Sequence, residues 1–366
     1  MTESLLPRRS LLRGGLALAG LSALPRLQAA PVAAGPPVRL NANENPWGPS
    51  PRARRAALEA IAAGNRYPDA APLTSRLAAQ NGVAADQVVL AGGSYPLLCA
   101  AALALGGGEI VTADPTFPAL ASYAEARGTR VVRVPLAADH VHDLEALARA
   151  VTPATRLVYV CNPNNPTGTI VPADRLRAFC QEVGKRAVVL VDEAYREYAT
   201  SPAFDSMAPL VAAGANVIVL HTFSKIHGLA GLRVGYAIAR PDLAKALAAA
   251  RMGSAETCLN SAGVAAALAS LDDRSWLATC RADTARGRQE LIRFLGEQGL
   301  RPAASEASFV YAPMPGDLEA FGAALEKRGV KIAARSRIAG CRITVGNPEE
   351  MSLFRRAFVE ARKEIV

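Results

Sequence analysis

A chain of 366 residues, 51% of them hydrophobic, holds enough apolar material for one large core and a smaller second one, so two domains in one soluble chain are expected. The formal charge is +9, but the Lys and Arg are scattered without a basic run of five, which reads as a solvated, mildly basic surface and speaks against nucleic-acid binding. Six cysteines form no C-x-x-C pair and four histidines form no H-x-x-x-H pair, so buried free thiols are expected, without a disulfide framework or a protein-bound metal.

Residues 7–13 read Pro-Arg-Arg-Ser-Leu-Leu-Arg, 14–24 are small and apolar, and Gln-Ala-Ala-Pro-Val-Ala-Ala follows. This is a charged n-region, a short h-region and a small-residue exit. The apolar run is too short to cross a bilayer core of ~30 Å as a helix. The paired arginines resemble a twin-arginine signal. That resemblance implies export of an already folded protein by the twin-arginine (Tat) machinery, with cleavage near Ala30 or Ala34 and a periplasmic or exported location. The alternative is an uncleaved basic tail on a cytoplasmic protein. Thiols buried before export would survive an oxidising compartment.

After the signal and linker (1–34), an arm at 35–66 is expected to be extended, with a short helix, and to pack with the smaller domain. From 67 to 250, apolar runs alternate with helical stretches. The runs fall at 87–91, 109–113, 130–135, 157–161, 187–192, 216–222 and 234–239; helical stretches include 96–105, 117–127 and 173–183. Continuous apolar strands spaced by helices predict an α/β domain whose seven-stranded, mostly parallel sheet is covered on both faces, with its chemistry where strands end. From 251 to 366, helices at 261–271 and 275–300 lead into a small α+β unit with strands at 308–312, 330–333 and 341–345 and helices at 317–328 and 348–364.

The strand ends carry the informative residues. Residues 222–236 read Thr-Phe-Ser-Lys-Ile-His-Gly-Leu-Ala-Gly-Leu-Arg-Val-Gly-Tyr. Lys225, in a small-residue turn after a buried strand, is placed to act as an amine nucleophile of lowered pKa, and Arg233 could return to clamp a phosphate. Residues 162–168, Asn-Pro-Asn-Asn-Pro-Thr-Gly, present Asn165 as a donor. Asp192 opens Asp-Glu-Ala-Tyr; a carboxylate there is costly unless it meets a positive partner, such as a protonated pyridine nitrogen. Gly93-Ser94 follow a strand and open a helix, a setting that binds phosphate, and Phe117 follows another strand.

Each motif alone has a bland reading as a turn, a cap or a strand-end loop. In this order and at these spacings, the set resembles the class I/II aminotransferases, pyridoxal-5′-phosphate (PLP) enzymes of fold type I. The nearest branch is similar to the histidinol-phosphate aminotransferase family, from about residue 38 to the end. The resemblance implies that Lys225 carries the Schiff base and moves the proton, and that Asp192 pairs with the pyridine nitrogen. It implies that Asn165 and Tyr195 bond the phenolic oxygen, that Phe117 stacks on the ring, and that Gly93, Ser94, Tyr95, Ser224 and Arg233 line the phosphate end. Tyr67, in Arg-Tyr-Pro-Asp, matches a tyrosine that reaches the neighbouring subunit's cofactor, which implies a homodimer with shared active sites. Arg342 matches the arginine that takes the α-carboxylate or another substrate anion, Asn43 lies in the arm that closes over the substrate, and Arg335 offers a further cation.

Two departures stand out: Tyr95-Pro96 where the family shows an acidic pair, and Ser308-Phe309 where it shows Asn-Phe. His227 is expected to be structural. The implied reaction is ping-pong transamination from an amino donor to a 2-oxo acid, with 2-oxoglutarate the acceptor by family habit. The alternatives are a PLP-dependent decarboxylase, a lyase or a tailoring enzyme on the same scaffold, and an idle ligand-sensing protein of the same fold. A working export signal points away from histidine biosynthesis, whose intermediates belong in the cytoplasm.

Overall fold

The computed structural model describes residues 36–365, so the proposed signal at 1–34 lies outside the described residues. Strand β1 (Val38–Leu40) comes first. Seven strands follow that build the larger sheet: β2 (Val88–Ala91), β3 (Glu109–Asp114), β4 (Val131–Pro135), β5 (Thr155–Cys161), β6 (Val188–Asp192), β7 (Val217–Thr222) and β8 (Gly235–Ala239). All seven apolar runs became strands. Their order across the sheet is β2-β8-β7-β6-β5-β3-β4, and only β8 opposes its neighbours.

Val158, Val160, Val189, Val191, Val217 and Val219 pack on one face of this sheet, while Leu157, Tyr159, Val188, Leu190, Ile218 and Leu220 pack on the other. Side chains alternate with period two, and both faces are covered, which is why these strands read as unbroken apolar runs. Burying each such side chain contributes roughly 1.5–3 kcal/mol.

The helix Ser94–Leu105 starts two residues earlier than its apolar pattern suggests, because Pro96 falls in the first turn, where backbone N–H groups have no intrahelical acceptor. The smaller sheet has the order β1-β10-β11-β9, from β9 (Phe309–Pro313), β10 (Val330–Arg335) and β11 (Gly340–Thr344). β1 runs parallel to β10, with Val38 opposite Val330, so the arm begins as a strand of the smaller sheet. Leu291 and Leu295 of the long helix Arg274–Glu297 pack beneath this sheet with Phe321, Phe354 and Phe358.

All six cysteines are free thiols; Cys161, Cys180, Cys280 and Cys341 are buried. Cys99 and Cys258 correct the expectation of general burial: both are only half-buried, Cys99 midway along the helix Ser94–Leu105 and Cys258 at the end of a short helix.

Candidate active site

The carboxyl ends of β2, β3, β5, β6 and β7 open on a cavity of about 300 Å³. It is lined by Asn43, Ser94, Tyr95, Phe117, Asn165, Asp192, Tyr195, Ser224, Lys225, Arg233 and Arg342. Gly93 lies beneath it, at the start of the helix Ser94–Leu105, with φ +98. A Cβ on Gly93 would sit 2.3 Å from Nη2 of Arg233, and one on Gly235 would meet the Gly93 carbonyl carbon and the Ser94 nitrogen at 2.5 Å. Only glycines let the turn, β8 and the Arg233 guanidinium close to this distance. Arg233 itself has φ +55, and its Nη1 donates to Ser224 Oγ at 3.4 Å and to Ala230 O at 2.8 Å.

Lys225 leaves the loop after β7, and its Nζ donates to Ala42 O of the arm at 3.3 Å. Burial of the amine, aided by the Arg342 charge, pulls its pKa down to about 8 against the opposing pull of Glu44 and Asp192. Asp192, fully enclosed at the end of β6, is pushed up to about 6 by burial. It takes part in no ion pair among the described residues. Its Oδ2 accepts from the Tyr159 hydroxyl at 3.1 Å and its Oδ1 from Ala194 N at 3.2 Å.

The Tyr195 oxygen accepts from Asn43 Nδ2 at 3.0 Å and from Asn165 Nδ2 at 3.4 Å. With two amides donating to this oxygen, the phenol's own proton is free to turn into the cavity. Burial raises the Tyr195 pKa, so the proton stays on. Arg342, on β11, donates from Nη1 to Asn165 Oδ1 at 2.6 Å and from Nη2 to Asn41 O at 2.5 Å. Its Nε is buried without a partner.

Two sequence-predicted site residues, Tyr67 and Arg335, stand apart from this cavity, as does His227. Tyr67 is 78% exposed, and Arg335 is exposed at the end of β10, near enough for its charge to oppose that of Arg342. His227 lines a different cavity of about 450 Å³, which shares only Thr222 with the first and contains none of the predicted site residues. There its Nδ1 meets Ser270 Oγ at 2.7 Å, and burial lowers its pKa to about 4, so it is a neutral core histidine.

A model of the family described as aminotransferase class I and II matches residues 36–358. The chain belongs to this family. The histidinol-phosphate aminotransferase of Moorella thermoacetica is 38% identical over 332 residues, covering 88% of this chain and 85% of that protein. The aromatic amino acid aminotransferase of Thermobifida fusca is 39% identical over 324 residues, covering 87% and 89%. The solved histidinol-phosphate aminotransferase of Sinorhizobium meliloti, in complex with pyridoxal-5′-phosphate, matches with a TM-score of 0.81 at 31% identity, covering 90% of this chain and 91% of that one. This family member is thus a PLP-dependent aminotransferase of α/β architecture.

The residues present fit that cofactor. Helix-opening N–H groups, an arginine and a serine hydroxyl form a cradle that a Cβ would fill, which suits a phosphate. A lysine of lowered pKa suits an aldehyde, and an enclosed carboxylate without a cationic partner in contact suits a protonated ring nitrogen.

Several neighbours carry roles that the sequence did not assign. Phe309 packs edge-on to Tyr195 at 5.0 Å and lies 5.4 Å from the Arg342 guanidinium, so it supports both. Thr344 Oγ1 donates to Asn43 Oδ1 at 3.1 Å and accepts from Asn43 N at 3.0 Å, which fixes the amide so that Nδ2 faces Tyr195. Ser308 is buried with its Oγ unpartnered, and it does not line the cavity. The strand expected at 341–345 already included Thr344, but no local signal ties it to Asn43.

Proposed function

We propose that the enzyme takes the amino group from a primary amine bearing a ring and an anionic end and passes it to a 2-oxo acid. The carrying observation is Arg342. Its guanidinium shares the cavity with Lys225, and its buried Nε lacks a partner, so it can receive a carboxylate or phosphate. Histidinol phosphate and aromatic amino acids, named by the relatives, share that chemistry.

Bound PLP supplies an electron-withdrawing ring that stores and returns the electron pair of the substrate carbon. Ser94, Ser224 and Arg233 would hold the phosphate in the turn that Gly93 opens, with Tyr95 at the cavity rim and Phe117 beside the ring. Asp192 would keep the proton on the ring nitrogen, and Asn165 and Tyr195 would donate to the ring oxygen. Lys225 would hold the cofactor's aldehyde carbon, and its free Nζ would carry the proton at the substrate Cα, a task suited to an amine of pKa about 8. Asn43 steadies Tyr195, and Arg335 offers a second cation toward a doubly charged substrate end.

A homodimer with shared sites is part of the reading. The exposed Tyr67, together with Leu58 and Ile61 at 64% and 61% exposure, supports a partner surface. The paired Arg8-Arg9 support export through the Tat machinery and thus a role outside the cytoplasm.

The test is a donor panel without acceptor. Histidinol phosphate, phenylalanine and tyrosine are added singly to the holoenzyme while the cofactor's visible absorbance is followed. Loss of the band with one donor, and its return with 2-oxoglutarate, is the expected result. Carbon dioxide release without that cycle would instead favour the decarboxylase reading.

A further inference from the structure

We infer that Tyr159 is a positioning residue of this enzyme: its hydroxyl fixes the Asp192 carboxylate that serves the cofactor's ring nitrogen and keeps it charged. The inference rests on the reading of Asp192 given above.

β5 and β6 are parallel, with Tyr159 opposite Leu190 and Cys161 opposite Asp192. Tyr159 is therefore the diagonal neighbour of Asp192 on the same sheet face, and a phenol is long enough to bridge that diagonal. The Tyr159 ring is fully enclosed among apolar residues, where phenylalanine would pack equally well. The hydroxyl is what phenylalanine lacks, and a buried hydroxyl is costly unless it is bonded. Its side-chain partner is Asp192, at 3.1 Å. An ionised carboxylate only accepts, so the phenol is the donor and the bond is charge-assisted. With Tyr159 on Oδ2 and Ala194 N on Oδ1, each carboxylate oxygen has one protein donor and the plane of the group is set.

The other charged or titratable groups facing Asp192 act more weakly on its geometry. Cys161 of β5 contributes a thiol held neutral by burial. Lys225 attracts, Glu193 repels, and Tyr195 on the same loop is turned to Asn43 and Asn165. Burial alone would drive Asp192 toward its neutral form, and the Tyr159 bond is the largest force opposing it.

The experiment is a double-mutant cycle on cofactor retention. PLP affinity is measured by fluorescence across pH for the wild type, Tyr159→Phe, Asp192→Asn and the double variant. Tyr159→Phe keeps the ring, and thermal unfolding of each variant checks its fold. The expected result is about tenfold weaker retention in Tyr159→Phe at neutral pH, as for a lost bond to a charged group. Its acid limb should also move to higher pH, while adding Tyr159→Phe to Asp192→Asn should change nothing further. Equal losses in both backgrounds with an unmoved acid limb, or wild-type behaviour of Tyr159→Phe, would overturn the inference. Wild-type retention in Asp192→Asn alone would overturn the reading of Asp192 itself, and this inference with it.

Discussion

The two sides of the cavity are built differently. On the cofactor side, Gly93, Ser94, Phe117, Asn165, Asp192, Tyr195, Ser224 and Lys225 each lie at, or within about four residues of, a strand's carboxyl end, where the sheet's geometry places them. The substrate side has no such frame. Arg342 reaches across 301 residues of sequence to Asn41 and across 177 to Asn165. One side inherits its precision from a sheet; the other is assembled from an arm, a small strand and a loop that must be brought together. Changes on the first should therefore act on every donor alike through the cofactor, and changes on the second on particular donors.

The strongest test of that division is Lys225→Ala. Loss of both cofactor anchor and proton carrier should lower turnover by ~10³-fold or more with every donor, measured by single-turnover kinetics. Arg342→Ala should raise KM for the donor by roughly 30- to 100-fold, the worth of a bidentate charged contact, while the cofactor stays bound and the Lys225 pKa, relieved of the Arg342 charge, rises. A loss of cofactor in that variant would erase the distinction between the two sides.

The pH dependence of loading separates them further. Burial lowers the Lys225 pKa from 10.5 to about 8. The neutral amine is the nucleophile, so PLP uptake by the apoenzyme should rise about tenfold per pH unit below 8 and level off above it, followed by stopped-flow absorbance. The same shift has a stability sign. Between about 8 and 10.5 the unfolded chain binds the proton that folded Lys225 has released, so stability of the apoenzyme rises with pH through that window, and below it the burial cost is fully present. The smallest effect is expected from Thr344→Val, which removes the hydroxyl that orients Asn43. A cost of about 1 kcal/mol, or about fivefold in kcat/KM, should appear without loss of cofactor.

Legibility in the sequence followed the same division. Apolar runs buried on both faces announced the seven strands, and the turns after them announced the cofactor side, because those signals are local. β1 is three residues long and finds its partner, Val330, far along the chain, so 38–40 reads only as extended arm. Asn43 looks like one polar residue among several in the arm; its role follows from a backbone at φ +55 and from a threonine 301 residues away, at the end of β11. Tyr159 reads as one more apolar strand residue until the register of β5 against β6 places its hydroxyl beside Asp192.

The strand that opens the described chain also bears on maturation. Val38 N donates to Gly329 O at 2.8 Å, the first bond of the smaller sheet, and both proposed cleavage positions, Ala30 and Ala34, come before it. A peptidase acting at either would leave every strand, the arm and the cavity covalently intact. If the signal proposed above is used, the described cofactor-binding part of the chain would be covalently the same before and after cleavage.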